Sequence, residues 1–152
     1  MADQKKTLST QAVESIGRGH LVAKLIREGI GVSMPVWDDG IDLIVHISDP
    51  QEFSAVPLQL KVSTNTYVGI HHKYKLKSKL KLVFIWVDEN DQLKKIFVMS
   101  YAELCDLFAK HQNTKSWKTG FSYSRAPKEK LTKMKDFELS EKRTLRHLIF
   151  ER

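Results

Sequence analysis

At 152 residues, 41% hydrophobic and 28% charged, the chain has the size and balance of one ordinary folded domain and not of a disordered segment. Its longest apolar run, residues 82–87, is far too short to span a bilayer, and the single cysteine, Cys105, excludes an internal disulfide and a cysteine-based zinc site. The net charge of +7 is uneven: residues 1–70 hold six basic against eight acidic groups, residues 71–81 five lysines and no acid, and residues 115–152 eleven basic against five acidic groups. Such clustering suits a polyanionic partner, a solvated surface being the alternative. The polar leader MADQKKTLST has no secretory apolar region, so a reducing, cytoplasmic setting is expected.

Along the chain, apolar residues from Thr10 to Glu28 recur at helical steps, with Ser9 or Thr10 as N-cap and Gly29 at the left-handed stop. Gly17 and Gly19 are poor helix formers, which implies close packing or a later start. Ile30–Val36 is a short strand candidate. The turn-forming WDDG follows, then the apolar run IDLIVHI at 41–47, broken by Asp49-Pro50. VPLQLKVS at 56–63 alternates with a period of two, so Val56, Leu58, Leu60 and Val62 share one face and Gln59 and Lys61 the other.

Lys73, Lys75, Lys77, Lys79 and Lys81 alternate and would form one basic face if extended, either tracking phosphates or guarding a sheet edge. Leu80–Val87 reads as a buried strand, ENDQ as a hairpin loop and Leu93–Met99 as the returning strand. Ser100 and Glu103 match a capping box for a helix from Tyr101 to His111, with Leu104, Leu107 and Phe108 inward. SWKTGFSYS reads as a strand pair or loop, and Ser140 with Leu145, Leu148 and Ile149 as a last helix. His71 and His72 lack a third metal ligand at recognisable spacing. Trp117, Phe121 and Tyr123 are read as core before base-stacking residues.

The constellation with chemical content is a helix carrying Glu14, Asp42 in the GIDLIV strand, and Gln59-Leu60-Lys61 in the next. Here the sequence resembles the PD-(D/E)XK nuclease superfamily, over roughly residues 10–110. The resemblance implies a restriction-endonuclease-like α/β core, with helix, three strands, helix and strand in order and a mixed central sheet flanked by helices. It also implies that an acid on one strand and an acid-x-Lys pair on the next hold a divalent cation near a scissile phosphate. Carried onto this chain, Asp42, Gln59 and the Leu60 carbonyl would hold Mg²⁺ (or Mn²⁺), Lys61 would assist the attacking water or the developing charge, and Glu14 is the fourth member.

The chain departs from the pattern twice. Neutral Gln59 replaces the acid, as in resolvase-like and intron homing endonuclease-like relatives, and Glu14 lies one helical turn early, with Arg18 at the expected position. Each residue also has a plainer reading: Asp42 bonding the WDDG turn, Gln59 and Lys61 on an exposed strand face, Glu14 pairing with Arg18, Asp38 and Asp39 shaping the turn. The expectation is a single nuclease-like domain over 1–152, with a basic C-terminal extension over about 115–152. It would be a metal-dependent DNA endonuclease whose partner is nucleic acid, DNA first, with Lys73, Lys75, Lys77 and Lys79 as phosphate contacts and a homodimer an open option. The alternative is a non-catalytic nucleic-acid-binding or protein-interaction domain on the same fold.

Overall fold

The computed structural model describes residues 7–152; the first part of the polar leader, residues 1–6, lies outside the described residues. Helix α1 (Thr10–Arg27) begins at Ser9, whose hydroxyl accepts from the Ala12 amide at 3.2 Å, and ends before Gly29 at φ +74°. Gly17 meets the expectation of close packing, since a Cβ there would collide with the side chain of Val62, whereas Gly19 has open space. Strand β1 (Gly31–Ser33) is shorter than read, because Met34-Pro35 ends the ladder. Strand β2 (Leu43–Ser48) leaves Asp42 just ahead of the strand and not within it. The Asp49 carboxylate accepts from the Gln51 and Glu52 amides and turns the chain into β3 (Phe53–Ser63).

Strand β4 (Val68–His71) follows, and the lysine-rich stretch then folds otherwise than its alternation suggested. His72–Leu76 forms a 3₁₀ turn with Tyr74 buried and Leu76 exposed. Lys79 adopts φ +64°, and only Lys81 enters a strand, β5 (Lys81–Val87). The five lysines therefore share no face. This short turn and β4 also stand where the resemblance expects a helix between the third and fourth core strands. Strand β6 (Leu93–Ser100) returns antiparallel, and helix α2 (Tyr101–Leu107) starts at the expected capping box but passes into a 3₁₀ turn at Ala109–His111.

Beyond it, SWKTGFSYS supplies one strand, β7 (Gly120–Tyr123), paired antiparallel with β4. Helix α3 (Lys128–Met134) was not legible from sequence, and α4 (Leu145–Phe150) is capped by Thr144 and not by Ser140.

The result is a mixed α/β fold. A five-stranded sheet in the order β1-β2-β3-β5-β6 is antiparallel except where β3 and β5 run parallel. Every residue of β5 is buried, so that strand feeds two apolar cores. Val83, Ile85 and Val87 join Leu58 and Leu60 of β3 against Leu21 and Leu25 of α1 and Leu145, Leu148 and Ile149 of α4. Leu82, Phe84 and Trp86 face the small β4–β7 sheet, Tyr74, the α2 residues Leu104, Leu107 and Phe108, and Met134. No helix among the described residues is long and apolar enough to cross a membrane.

Candidate active-site groove

The site begins where two strands separate. β2 and β3 pair from Ser48 and Phe53 to Leu43 and Leu58, and the Asp42 amide makes the last bond of that ladder, to the Leu58 carbonyl at 2.9 Å. Beyond it β3 continues with one edge unpaired. The Asp42 carboxylate takes the place of the missing strand: Oδ2 accepts from the Leu60 amide at 2.7 Å and from Nε2 of Gln59 at 2.7 Å. It does not bond the preceding turn, where Asp38 accepts from the Gly40 amide at 3.1 Å and Asp39 pairs with Lys77 at 3.0 Å. The plain reading of Asp38 holds, whereas Asp39 reaches out of the turn to Lys77 and Asp42 turns away from it to β3.

Backbone groups of one residue leave a strand on the same side, so the Leu60 carbonyl opens onto the same free edge as its amide. Nε2 of Gln59 lies 3.4 Å from that carbonyl. One amide nitrogen thus stands between two oxygens, the carboxylate of Asp42 and the carbonyl of Leu60. The other end of the amide is stranded: Oε1 is buried with no hydrogen-bond partner. It faces Gly40, where a Cβ would come within 3.5 Å of it and 3.6 Å of the Tyr74 ring. Burial, and then the negative charge of Asp42, push the Tyr74 hydroxyl above its ordinary pKa.

A cavity of about 260 Å³ follows the free edge, lined by Asp42, Gln59, Leu60 and Lys61, by Tyr67, and by Glu14 and Arg18 of α1. Glu14 and Arg18 stand one turn apart on the helix, and the seating of Gly17 on Val62 brings their face down to β3. No ion pair joins them among the described residues. Instead Nε of Arg18 is buried without a partner. Leaving a polar atom buried and unpaired costs about 1–3 kcal/mol, and the two such side-chain atoms found among the described residues, Arg18 Nε and Gln59 Oε1, both belong to residues lining this one cavity.

All four residues singled out from sequence, Glu14, Asp42, Gln59 and Lys61, line the same cavity, and so does Leu60. Arg18 was not singled out as a groove residue; its signal was its place one turn beyond Glu14, where the resemblance expects an acid. The phosphate-contact lysines divide. Lys73 opens onto a neighbouring groove, whereas Lys75, Lys77 and Lys79 line a separate cavity with Lys81 and Arg152. His72 is engaged in the fold, Nδ1 with the Tyr101 hydroxyl at 2.7 Å and Nε2 with the Trp117 carbonyl at 2.5 Å. Trp117, Phe121 and Tyr123 pack against the second core.

Asp42 Oδ1 carries no hydrogen bond among the described residues, and with the Leu60 carbonyl and Glu14 on the same cavity it offers oxygen donors, to which Gln59 would add Oε1 only by turning its amide over. Such donors fit a hard cation that keeps several waters. No group of three or more His, Cys, Asp or Glu placed to hold a metal occurs among the described residues, so carbonyl and water oxygens would have to complete the shell.

No protein-family model matches the chain, and no curated protein matches it significantly. Among solved structures it is similar to the bacterial homing endonuclease I-Ssp6803I, with 16% identity, 80% of each chain covered and a TM-score of 0.46.

Proposed function

We propose that the groove binds a nucleic-acid backbone, DNA first, and hydrolyses a phosphodiester with a divalent cation, Mg²⁺ or Mn²⁺. Asp42, the Leu60 carbonyl and Gln59 would hold the ion, with Glu14 lining the same cavity. When bound, the ion would supply Lewis-acid stabilisation of the phosphate and a water of lowered pKa. The chain's own contribution is positional. Leu60 N–H and Gln59 Nε2 aim the Asp42 carboxylate along the open edge of β3. Lys61 offsets negative charge as it grows on the phosphate, and Arg18 offers an unpaired N–H to a phosphate oxygen.

The observation that carries this reading is the placing of two unpartnered buried polar atoms, one donor and one acceptor, in residues that line a cavity with two carboxylates and a lysine. A site complete in itself would leave neither. The test is incubation of purified protein with plasmid and branched DNA, with Mg²⁺, with Mn²⁺ and with chelator. Cutting that needs the metal and is lost in Asp42→Ala is the expected result, with a fall of at least about a hundredfold. Intact DNA under every condition would reject the enzyme.

One observation favours a second reading, binding without cleavage. The Gln59 N–H and the Leu60 amide already satisfy one oxygen of the Asp42 carboxylate without an ion. Duplex binding that Asp42→Ala leaves unchanged, with no cutting by either form, would establish that alternative.

A further inference from the structure

Beside the first cavity lies a second groove of about 440 Å³, and Lys61 and Tyr67 line both. Its walls come from β4, β7 and the turns that follow and precede them, and not one of its lining residues is acidic. Among them are His71, Lys73 and the hydroxyls of Ser116 and Ser122. Two glycines let its walls pack closely: a Cβ at Gly69 would press on the Tyr67 hydroxyl and Ser122, and one at Gly120 on the Ile70 carbonyl.

The cations here lack anions. Lys73 makes no ion pair among the described residues, and its ammonium sits 5.1 Å from the Tyr74 ring centroid. His71 Nδ1 accepts from the Lys73 amide at 3.2 Å. That bond fixes the neutral ring as the Nε2–H tautomer, so the other nitrogen is a donor. His71 is exposed at the end of β4, and desolvation of its ring, then the charges of Lys73, His72 and Lys61, push its pKa down. A charged ring there wants an anion that the protein does not provide.

We infer that Lys61, His71 and Lys73 form a phosphate subsite that takes a backbone phosphodiester beside the one at Asp42, so that a strand enters along the β4–β7 sheet. This deepens the nuclease reading and rests on it for the direction of the strand. The chemistry recognised is a phosphate anion, which a nucleic-acid backbone or free phosphate could supply. The continuity of the two grooves through Lys61 and Tyr67 favours the backbone.

The test uses the full chain, a fluorescent DNA duplex and chelator, with anisotropy followed as salt is raised and repeated at acidic and neutral pH. Each phosphate contact contributes about 0.9 to the slope of log affinity against log salt. Lys73→Ala should therefore flatten the slope by about that amount, and Lys94→Ala, exposed on β6 and outside both grooves, should leave it unchanged. Phosphate favours the charged ring, so wild-type affinity rises as pH falls through the histidine range, and His71→Ala abolishes that dependence. An unchanged slope in Lys73→Ala, or an equal loss in Lys94→Ala, overturns the subsite. So does inorganic phosphate that saturates the His71 ring resonances while the duplex fails to displace it, which is the mark of a free-anion site. Failure of the two readings is distinguishable. Cutting lost in Asp42→Ala with no effect of Lys73→Ala on binding leaves the nuclease and removes the subsite, whereas the reverse pattern leaves a strand-binding groove without chemistry.

Discussion

At the scale of single residues, Gln59 is where the electrostatics of the groove are decided. Its Nε2 donates to Asp42 Oδ2 at 2.7 Å, and its Oε1 is buried and unpaired. Gln59→Glu would set a second carboxylate against the first at that range, with no N–H between them. Like charges so placed raise the pKa of one partner, and in chelator the variant should lose about 1–3 kcal/mol at neutral pH. The sign with pH follows: the folded state holds a proton more tightly than the unfolded chain, so the deficit shrinks as pH falls through the raised pKa. A divalent cation should reverse the order, because it gains Coulomb energy from the added anion. Thermal unfolding with and without Mg²⁺ reads both effects, since a ligand of the native state raises Tm by mass action. Equal Mg²⁺ responses in the two proteins would remove Gln59 from any cation site.

At the scale of elements, the groove depends on how closely α1 approaches β3. Gly17 lies against Val62 with no room for a Cβ, and Glu14 and Arg18 ride on the same helix. Gly17→Ala should overpack this contact and cost about 1–3 kcal/mol despite the better helix propensity of alanine. Adding Val62→Ala should recover much of that loss by clearing the space, a coupling that a double-mutant cycle in denaturant measures. Additive losses would show that the helix does not rest on this pair. The same elements show what the sequence could reveal. Signals that act within a few residues were legible: the Ser9 cap, the Gly29 stop, the Ser100–Glu103 box, and the two faces of β3. The lysine stretch misled because alternation requires an extended backbone to mean two faces, and a 3₁₀ turn with Tyr74 alone inside gives the same pattern. The β4–β7 pair was hidden because its register, Val68 with Tyr123, joins segments far apart in the chain. Glu14, Asp42, Gln59 and Lys61 could be named from spacing and resemblance. Arg18 and His71 could not, since their interest lies in partners they lack.

At the scale of the molecule, residues 115–152, read from sequence as a basic extension, supply both cores, and one of their lysines, Lys130, is itself buried with its ammonium donating to the Leu107 carbonyl at 2.7 Å. Leu145, Leu148 and Ile149 complete the core under α1, while Ala126 and Met134 enter the one beneath the small sheet. The end of α1 is bound to the same segment, for the Glu28 carboxylate accepts from the Leu145 and Arg146 amides at 3.0 and 2.9 Å. Those bonds occupy the positive end of α4 with an anion, as a helix N-terminus favours. The groove is built on α1 and β3, and both press on this C-terminal helix. Leu148, 1% exposed, is the place to test that dependence. Leu148→Ala should cost about 2–5 kcal/mol through lost burial and the cavity left behind. The loss should appear as one cooperative shift, in which tryptophan fluorescence and far-ultraviolet circular dichroism move together. Duplex affinity at temperatures below the new midpoint should stay near wild type, because Leu148 touches neither groove. Two separate transitions, with residues 10–110 outlasting the rest, would instead mark residues 115–152 as a detachable layer on an independently stable core.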